Sequence, residues 1–393
     1  MNVLLIRAPK INLHNFFLVF LMLDILVLPK LFFATPISFY FLLVFLCFYG
    51  RLELHLLIKF TVLLLILLSS VLSGVIRVSG DDFENVKRAI QLALVLSLFF
   101  FDYGRVDYQR ILVLSRKVLC LFYLISFSLF IAFVLDSDFY ARLMTLLYPE
   151  SLGMMSENIS NKRYSFHFTD PNSFGYFLVL VYALLLFVRF SIGLQGIFLV
   201  LSLLMILGTQ SRGALIALAM VLLFYVAFSV RGRARIRLLV FLFFLSVVLV
   251  FTFYEFIVEY LKLLEARSEI EKSMGSELGG GRLDKWEYFL GNPNINPFFG
   301  QGYYLEKDGQ VFRPHSDFIR LNYSYGIIIY FVLISFFLDF RRPFWILWVA
   351  FFVPFFINTV IDDFRIFGLF VLAFLWVKNG LDSGAINYRR IIF

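Results

Sequence analysis

Apolar runs of membrane-spanning length recur along the whole of this chain, and that recurrence restricts its fold more than any other feature. The runs fall near 11–29, 31–50, 55–76, 86–103, 111–135, 171–190, 194–209, 213–230, 238–256, 317–339, 343–360 and 364–379. A bilayer core about 30 Å thick takes about 20 apolar residues of helix to cross. Inside that core each backbone amide must find its partner within a helix or a closed barrel. These runs are continuous rather than alternating, so they read as helices. The expected fold is all-α, a polytopic membrane protein of about 12 transmembrane helices. The runs at 86–103 and 194–209 have the shortest purely apolar cores, so they are the candidates for a tilted, broken or re-entrant span. Composition agrees, with 61% hydrophobic and 16% charged residues, against about 45–50% and about 25% in soluble domains.

Orientation follows from lysine and arginine in the short loops. With a cytoplasmic N-terminus, 18 basic residues fall inside, from Arg7 and Lys10 to Arg389 and Arg390, and the run Arg231–Arg237 is the strongest element. Six fall in short outside loops: Lys30, Arg77, Lys87, Arg88, Arg212 and Arg365. An even number of spans keeps both termini cytoplasmic. The first run has no small-residue cleavage site close behind it and reads as an uncleaved span. The expected layout is 1–135 as N-terminal spans, 136–170 as a first polar outside loop, 171–256 as central spans, 257–316 as a large outside loop before the third-last span, and 317–393 as C-terminal spans and tail. A 60-residue loop is far longer than most connections, and such loops are mostly functional.

The net charge of +8 does not point to nucleic acid, because the basic residues are spread through short loops and form no stripe with interleaved aromatics. Anionic lipid headgroups and anionic lipid-linked substrates are the better partners. Cys47 and Cys120 both lie in apolar runs, with no CxxC pair and no zinc spacing.

Candidates for chemistry gather on the outside face: Arg163, Arg212, Arg282, His315 and Arg365. Arg212, in Thr209-Gln210-Ser211-Arg212-Gly213-Ala214, sits between two apolar runs, and an arginine at that depth usually faces a cavity or a partner. Its plainer role is an interfacial arginine reaching headgroups. Arg282 follows three glycines and has Asp284 near it for a local salt bridge; Arg163 has solvent as its plain alternative. Arg365 stands beside Asp362 and Asp363, which can simply pair with it. His315, in Pro314-His315-Ser316-Asp317, marks the return of the long loop to the membrane, with His167 as the rival on that face.

These residue types suit the departure of a lipid diphosphate. Arginine forks match phosphate oxygens bidentately and keep their charge. They stabilise negative charge as it develops on a leaving group. A histidine takes the proton of an attacking sugar hydroxyl. Such a site calls for no metal and no cofactor. Asp136-Ser137-Asp138 is a DxD, but that pattern is common by chance and also suits a helix end; Asp81-Asp82 and Asp362-Asp363 are weaker still. Gly279–Gly281 lacks the lysine of a phosphate-binding loop and reads as a hinge.

The ordered set of motifs resembles the bacterial O-antigen polymerase and O-antigen ligase superfamily. It comprises Arg163 with Asp170-Pro171-Asn172, the Thr209–Ala214 segment, Gly281-Arg282-Leu283-Asp284-Lys285-Trp286, Asn296-Pro297-Phe298-Phe299-Gly300-Gln301-Gly302, then His315 and Gly326. The resemblance implies a glycosyltransferase of the bacterial inner membrane with its active site facing the periplasm. It implies a donor glycan linked to undecaprenyl diphosphate, with Arg163, Arg212 and Arg282 for the diphosphate and His315 as base; Arg365, outside those motifs, is added as a further candidate for substrate binding from its place on the same face. A chain-length regulator and a flippase are the protein partners such an enzyme would meet. Polymerase is favoured over ligase because the rest of the chain is idiosyncratic and rich in aromatics. A flippase or transporter of lipid-linked oligosaccharide is the reading from another class; against it, no two matching halves are visible and the charges gather at one face.

Overall fold

The computed structural model describes residues 12–29, 35–77, 82–148, 158–188, 190–229, 240, 282–291, 298, 300–302, 306–307, 310–311 and 314–386. Every expected apolar run except 238–256, which lies outside the described residues save for 240, holds helix. The helices are α1 (Leu13–Leu26), α2 (Ile37–Tyr49), α3 (Leu54–Arg77), α4 (Asp82–Leu96), α5 (Tyr108–Leu135), α6 (Ser137–Leu147), α7 (Pro171–Leu185), α8 (Ile192–Thr209), α9 (Arg212–Ser229), α10 (Arg282–Leu290), α11 (Asp317–Tyr325), α12 (Ile328–Phe336), α13 (Phe344–Ile357) and α14 (Phe364–Asp382). A short antiparallel hairpin pairs β1 (Glu306–Lys307) with β2 (Gln310–Val311).

Polar residues mark where the helices begin. Asn12 caps α1, Asp107 caps α5, Asp136 caps α6, Asp170 caps α7 and Asp363 caps α14, each accepting from backbone amides of the first turn. A helix that is apolar all round lies either in a core or in lipid, and burial tells the two apart. In α7 every residue except Asn172 is buried, and α14 is buried from Phe364 to Val377. These two helices pack on each other at the centre; α13 packs on α7, α9 and α14, and α1 packs on α5 and α14. By contrast α3 leaves Ile58, Leu65, Leu68 and Leu72 exposed, as a lipid-facing helix does.

Among the described residues, four helices are long and apolar enough to cross a membrane: Leu54–Ser73, Tyr108–Leu135, Ile192–Thr209 and Phe364–Asp382. A fifth span is counted if α11 and α12 are joined, and five shorter apolar helices accompany them. Twelve spans therefore remain an expectation of the sequence.

Three segments differ from that expectation in shape. The run 317–339 is not one straight span, because α11 and α12 meet at 118°. Gly326 makes the corner at φ +74°, a backbone conformation that favours glycine. The run 86–103 breaks at Leu96 into a 3₁₀ turn, whereas 194–209 is an unbroken helix. The segment 136–170 is not simply polar: it holds α6, and Tyr164, Phe166 and Phe168 are buried beneath it.

Hydrogen bonds sort the described residues into two ends. At one end Asn12 reaches the Arg105 carbonyl (2.9 Å), the Arg51 amide reaches Phe100 (2.7 Å), Arg116 reaches Val188 (2.8 Å), and Arg341 pairs with Asp382 (2.7 Å). At the other, Tyr148 reaches the Val27 carbonyl (2.6 Å), Arg88 reaches Asp362 (3.0 Å) and Asp317 reaches Asn358 (3.0 Å). Arg51, Arg105, Arg116 and Arg341 lie at the first end, and Arg88, Arg163, Arg212 and Arg365 at the second.

Candidate active site at one end of the bundle

The second end is assembled from four segments distant in sequence. Asp170 caps α7 by accepting from the amides of Asn172 (3.0 Å) and Ser173 (3.2 Å), and Pro171 supplies a preset first turn. The Asn172 amide nitrogen donates to Asp170, which turns its oxygen to Arg163 Nη2 at 3.1 Å. Arg163 Nε donates to the Thr209 carbonyl at 3.1 Å. The Tyr164 amide bonds Gly208 (2.8 Å), and the Gln210 side chain bonds the Lys162 carbonyl (3.2 Å). The Asp-Pro-Asn segment and the Thr209–Ala214 segment are thus one structure, with Arg163 as the tie. Gly175 permits this approach: a Cβ there would lie 2.8 Å from the Ala214 methyl. Arg212 is exposed at the first position of α9. The amides of a helix N-terminus add positive potential beside it.

His315 is held from both sides. The Trp286 indole donates to the Pro314 carbonyl at 2.7 Å, and Phe289 of the same helix is buried against Ile319 and Tyr323. This docks α10, which starts at Arg282, onto α11. The side chain of Arg282 lies outside the described residues, as does most of the 257–316 loop. His315 itself is half-buried with φ +49°, a left-handed conformation that persists in a residue with a Cβ only where its surroundings impose it. Ser316 caps α11 directly after it. At the far end of α11 the Tyr323 and Ser324 carbonyls accept from the amides of Gln301 (2.8 Å) and Gly302 (3.0 Å), and Ser70 also donates to Ser324 (2.8 Å). Carbonyls that a helix leaves orphaned at its C-terminus are satisfied here by the Gly-Gln-Gly segment.

The end of α13 joins the two halves. Ile357 lies against Gly213, beside Arg212, and the carbonyl of Asn358 accepts from the Asp317 amide, two residues from His315. Arg163, Arg212 and His315 therefore share one end of the bundle, and the helix that begins at Arg282 is fastened next to His315.

Arg365 is placed differently from the other arginines. It is fully buried, with Nη1 on the Ile25 carbonyl (3.1 Å) and on His167 Nε2 (2.6 Å), and Nη2 on the Leu28 carbonyl. His167 is buried as well, stacked on Tyr148 and Phe168. Arg320, which was not singled out from sequence, is buried against Asp317 and Asp362. The available signal was an Asp-x-x-Arg pair inside an otherwise apolar run, where charges seldom sit without a task.

The carboxylate motifs are engaged elsewhere. One oxygen of Asp136 accepts from the amides of Asp138 (3.0 Å) and Phe139 (2.9 Å), Asp363 caps α14, and Asp362 faces Arg320. Among the described residues no three His, Cys, Asp or Glu side chains group as metal ligands would. An apolar cleft of about 320 Å³ lies between α12 and α13, lined by Phe318, Tyr330, Phe352, Phe356, Ile361 and Phe370 among others.

The fold and this end together define an integral membrane protein with a polar, arginine-bearing site at one end of a helical bundle. Residues 197–334 match the Wzy_C family model, O-antigen ligase, and this match supports membership of the O-antigen polymerase and ligase superfamily. Arg212, Arg282 and His315 fall within the matched segment, and Arg163 and Arg365 fall outside it. Comparison with curated proteins and with solved structures gives no match.

Proposed function

We propose that the chain is a surface-polysaccharide polymerase, joining lipid-diphosphate-linked repeat units at the outer face of the bacterial inner membrane. The observation that carries this reading is that Arg163, Arg212 and His315 lie on segments fastened to one another at one bundle end, within or beside a segment of O-antigen ligase type. In the proposed reaction His315 takes the proton of an acceptor sugar hydroxyl. The oxygen attacks the anomeric carbon of the donor, and the bond to the diphosphate breaks with its electron pair leaving on the diphosphate. Arg163, Arg212 and Arg282 receive that charge. One displacement of this kind inverts the anomeric configuration.

Arg365 enters the proposal as part of the frame, since its donors face Ile25, Leu28 and His167. The apolar cleft between α12 and α13 offers a place for the polyprenyl tail of the donor, with Phe318 and Ile361 adjoining the polar end. No metal is assigned a role, because the arginines supply the positive charge.

The match to an O-antigen ligase model favours a second reading, in which the acceptor is lipid A-core rather than another repeat unit. Purified protein in vesicles with lipid-linked repeat units separates the cases. Glycan ladders on the lipid carrier support polymerase. Transfer only when lipid A-core is present supports ligase. Passage between leaflets without any new glycosidic bond would instead mean a flippase and would defeat both.

A further inference from the structure

Resting on the glycosyl-transfer reading above, we infer that Arg320 and Asp317 are positioning residues, a buried clamp that fixes His315 at the working depth. Arg320 is 1% exposed and Asp317 is fully buried. Nε and Nη2 of Arg320 donate to one oxygen of Asp317, at 3.1 and 2.5 Å. Nη1 of Arg320 faces Asp362 at 2.6 Å. The other oxygen of Asp317 accepts from the amides of Val360 (2.5 Å) and Ile361 (2.7 Å). Arg88 completes the cluster by donating to the Asp362 carbonyl at 3.0 Å.

Neither residue is placed to meet substrate. All three guanidinium nitrogens of Arg320 face carboxylates, and both oxygens of Asp317 are taken. What the cluster does is join the first turn of α11 to the strap between α13 and α14. α11 needs such a joint, because it is a nine-residue helix that turns through 118° at its far end. His315 lies immediately upstream, in a left-handed conformation that its surroundings, the first turn of α11 among them, have to hold. A general base works only within hydrogen-bond reach of its proton. The strap also leads into Asp363 and Arg365, so the clamp holds His315 and the Arg365–His167 frame to a common reference.

The test uses full-length protein in vesicles, with lipid-linked repeat units extracted from a strain lacking it. Turnover and KM are measured for wild type, Asp317→Asn, Arg320→Lys and Asp362→Asn, normalised to folded protein by thermal unfolding in detergent. Displacement of a reacting group by about 1 Å costs on the order of 100-fold in rate. We expect kcat to fall about 10- to 100-fold in Asp317→Asn and Arg320→Lys, with KM within about threefold, since ground-state donor binding does not use the clamp. Asp362 is the most exposed of the three, so Asp362→Asn decides the matter if the other variants fail to accumulate; it should lower kcat by about tenfold, also at near-constant KM. Unchanged kcat per folded molecule overturns the clamp, and so does a raised KM at constant kcat, which would make Arg320 a donor ligand. Wild-type protein that forms no glycosidic bond defeats the functional reading itself. Active wild type with equally active variants defeats the clamp alone.

Discussion

Arg365 Nη1 donates to His167 Nε2 at 2.6 Å, in a pocket where both side chains are buried. Arginine has no lone pair to offer, so the histidine accepts at Nε2 and carries its proton on Nδ1. The two histidines of this face therefore differ in their surroundings. His167 is a buried acceptor in an aromatic nest, and His315 is half-buried at a loop–helix junction.

His167→Ala should accordingly act on stability. Removing the acceptor leaves a buried guanidinium donor unsatisfied, worth about 1–3 kcal/mol, and also leaves a cavity. The thermal midpoint should drop, while turnover per folded molecule stays within about threefold of wild type. A loss of turnover with normal stability would transfer the role of base to His167.

The orientation is tested by thiol labelling in a Cys47→Ser/Cys120→Ser background. Asp138→Cys, exposed at the site end, should react with an impermeant reagent in intact spheroplasts. Leu52→Cys, 79% exposed at the opposite end, should react only after permeabilisation. The reverse pattern would invert the topology.

The segments of the candidate site are conspicuous in the sequence because charges stand out in an apolar chain. Arg163, Asp170-Pro171-Asn172 and Thr209–Ala214 stood out as separate motifs, and the fold unites them through two hydrogen bonds of one guanidinium. The pairing itself was hidden, since nothing in composition or periodicity says which loops meet. Arg320 is inconspicuous in the sequence because it lies inside an apolar run that reads as a single span. At the bend before Gly326 the carbonyls accept from the amides of Gln301 and Gly302, over 20 residues upstream, and the bend has no local signature beyond the glycine. The buried aromatics Tyr164, Phe166 and Phe168 likewise lay within a segment read as polar because its charges are more visible than its packing.

The arginines should tolerate no loss of their planar fork. Arg212→Lys keeps the charge but gives up bidentate geometry, and it should lower kcat/KM by at least about tenfold. Arg163→Lys should do the same, and it also loses the simultaneous reach to Thr209 and Asn172. Arg282→Ala should abolish activity with the protein still in the membrane. Near-normal glycan length in any one of these variants would remove that residue from the site.

Activity should survive EDTA. Asp136 and Asp363 spend carboxylate oxygens on helix caps, and Asp362 faces Arg320. Loss on chelation with rescue by magnesium or manganese would return Asp136 and Asp138 to consideration as metal ligands.

The most direct test of the account is the rate of glycosidic bond formation by purified His315→Ala protein, with lipid-linked repeat units as both donor and acceptor. General-base help is worth about 10²- to 10⁴-fold, and the account predicts a loss of that size with donor binding retained and, in wild type, inverted configuration in the product. Wild-type rates from His315→Ala would contradict it.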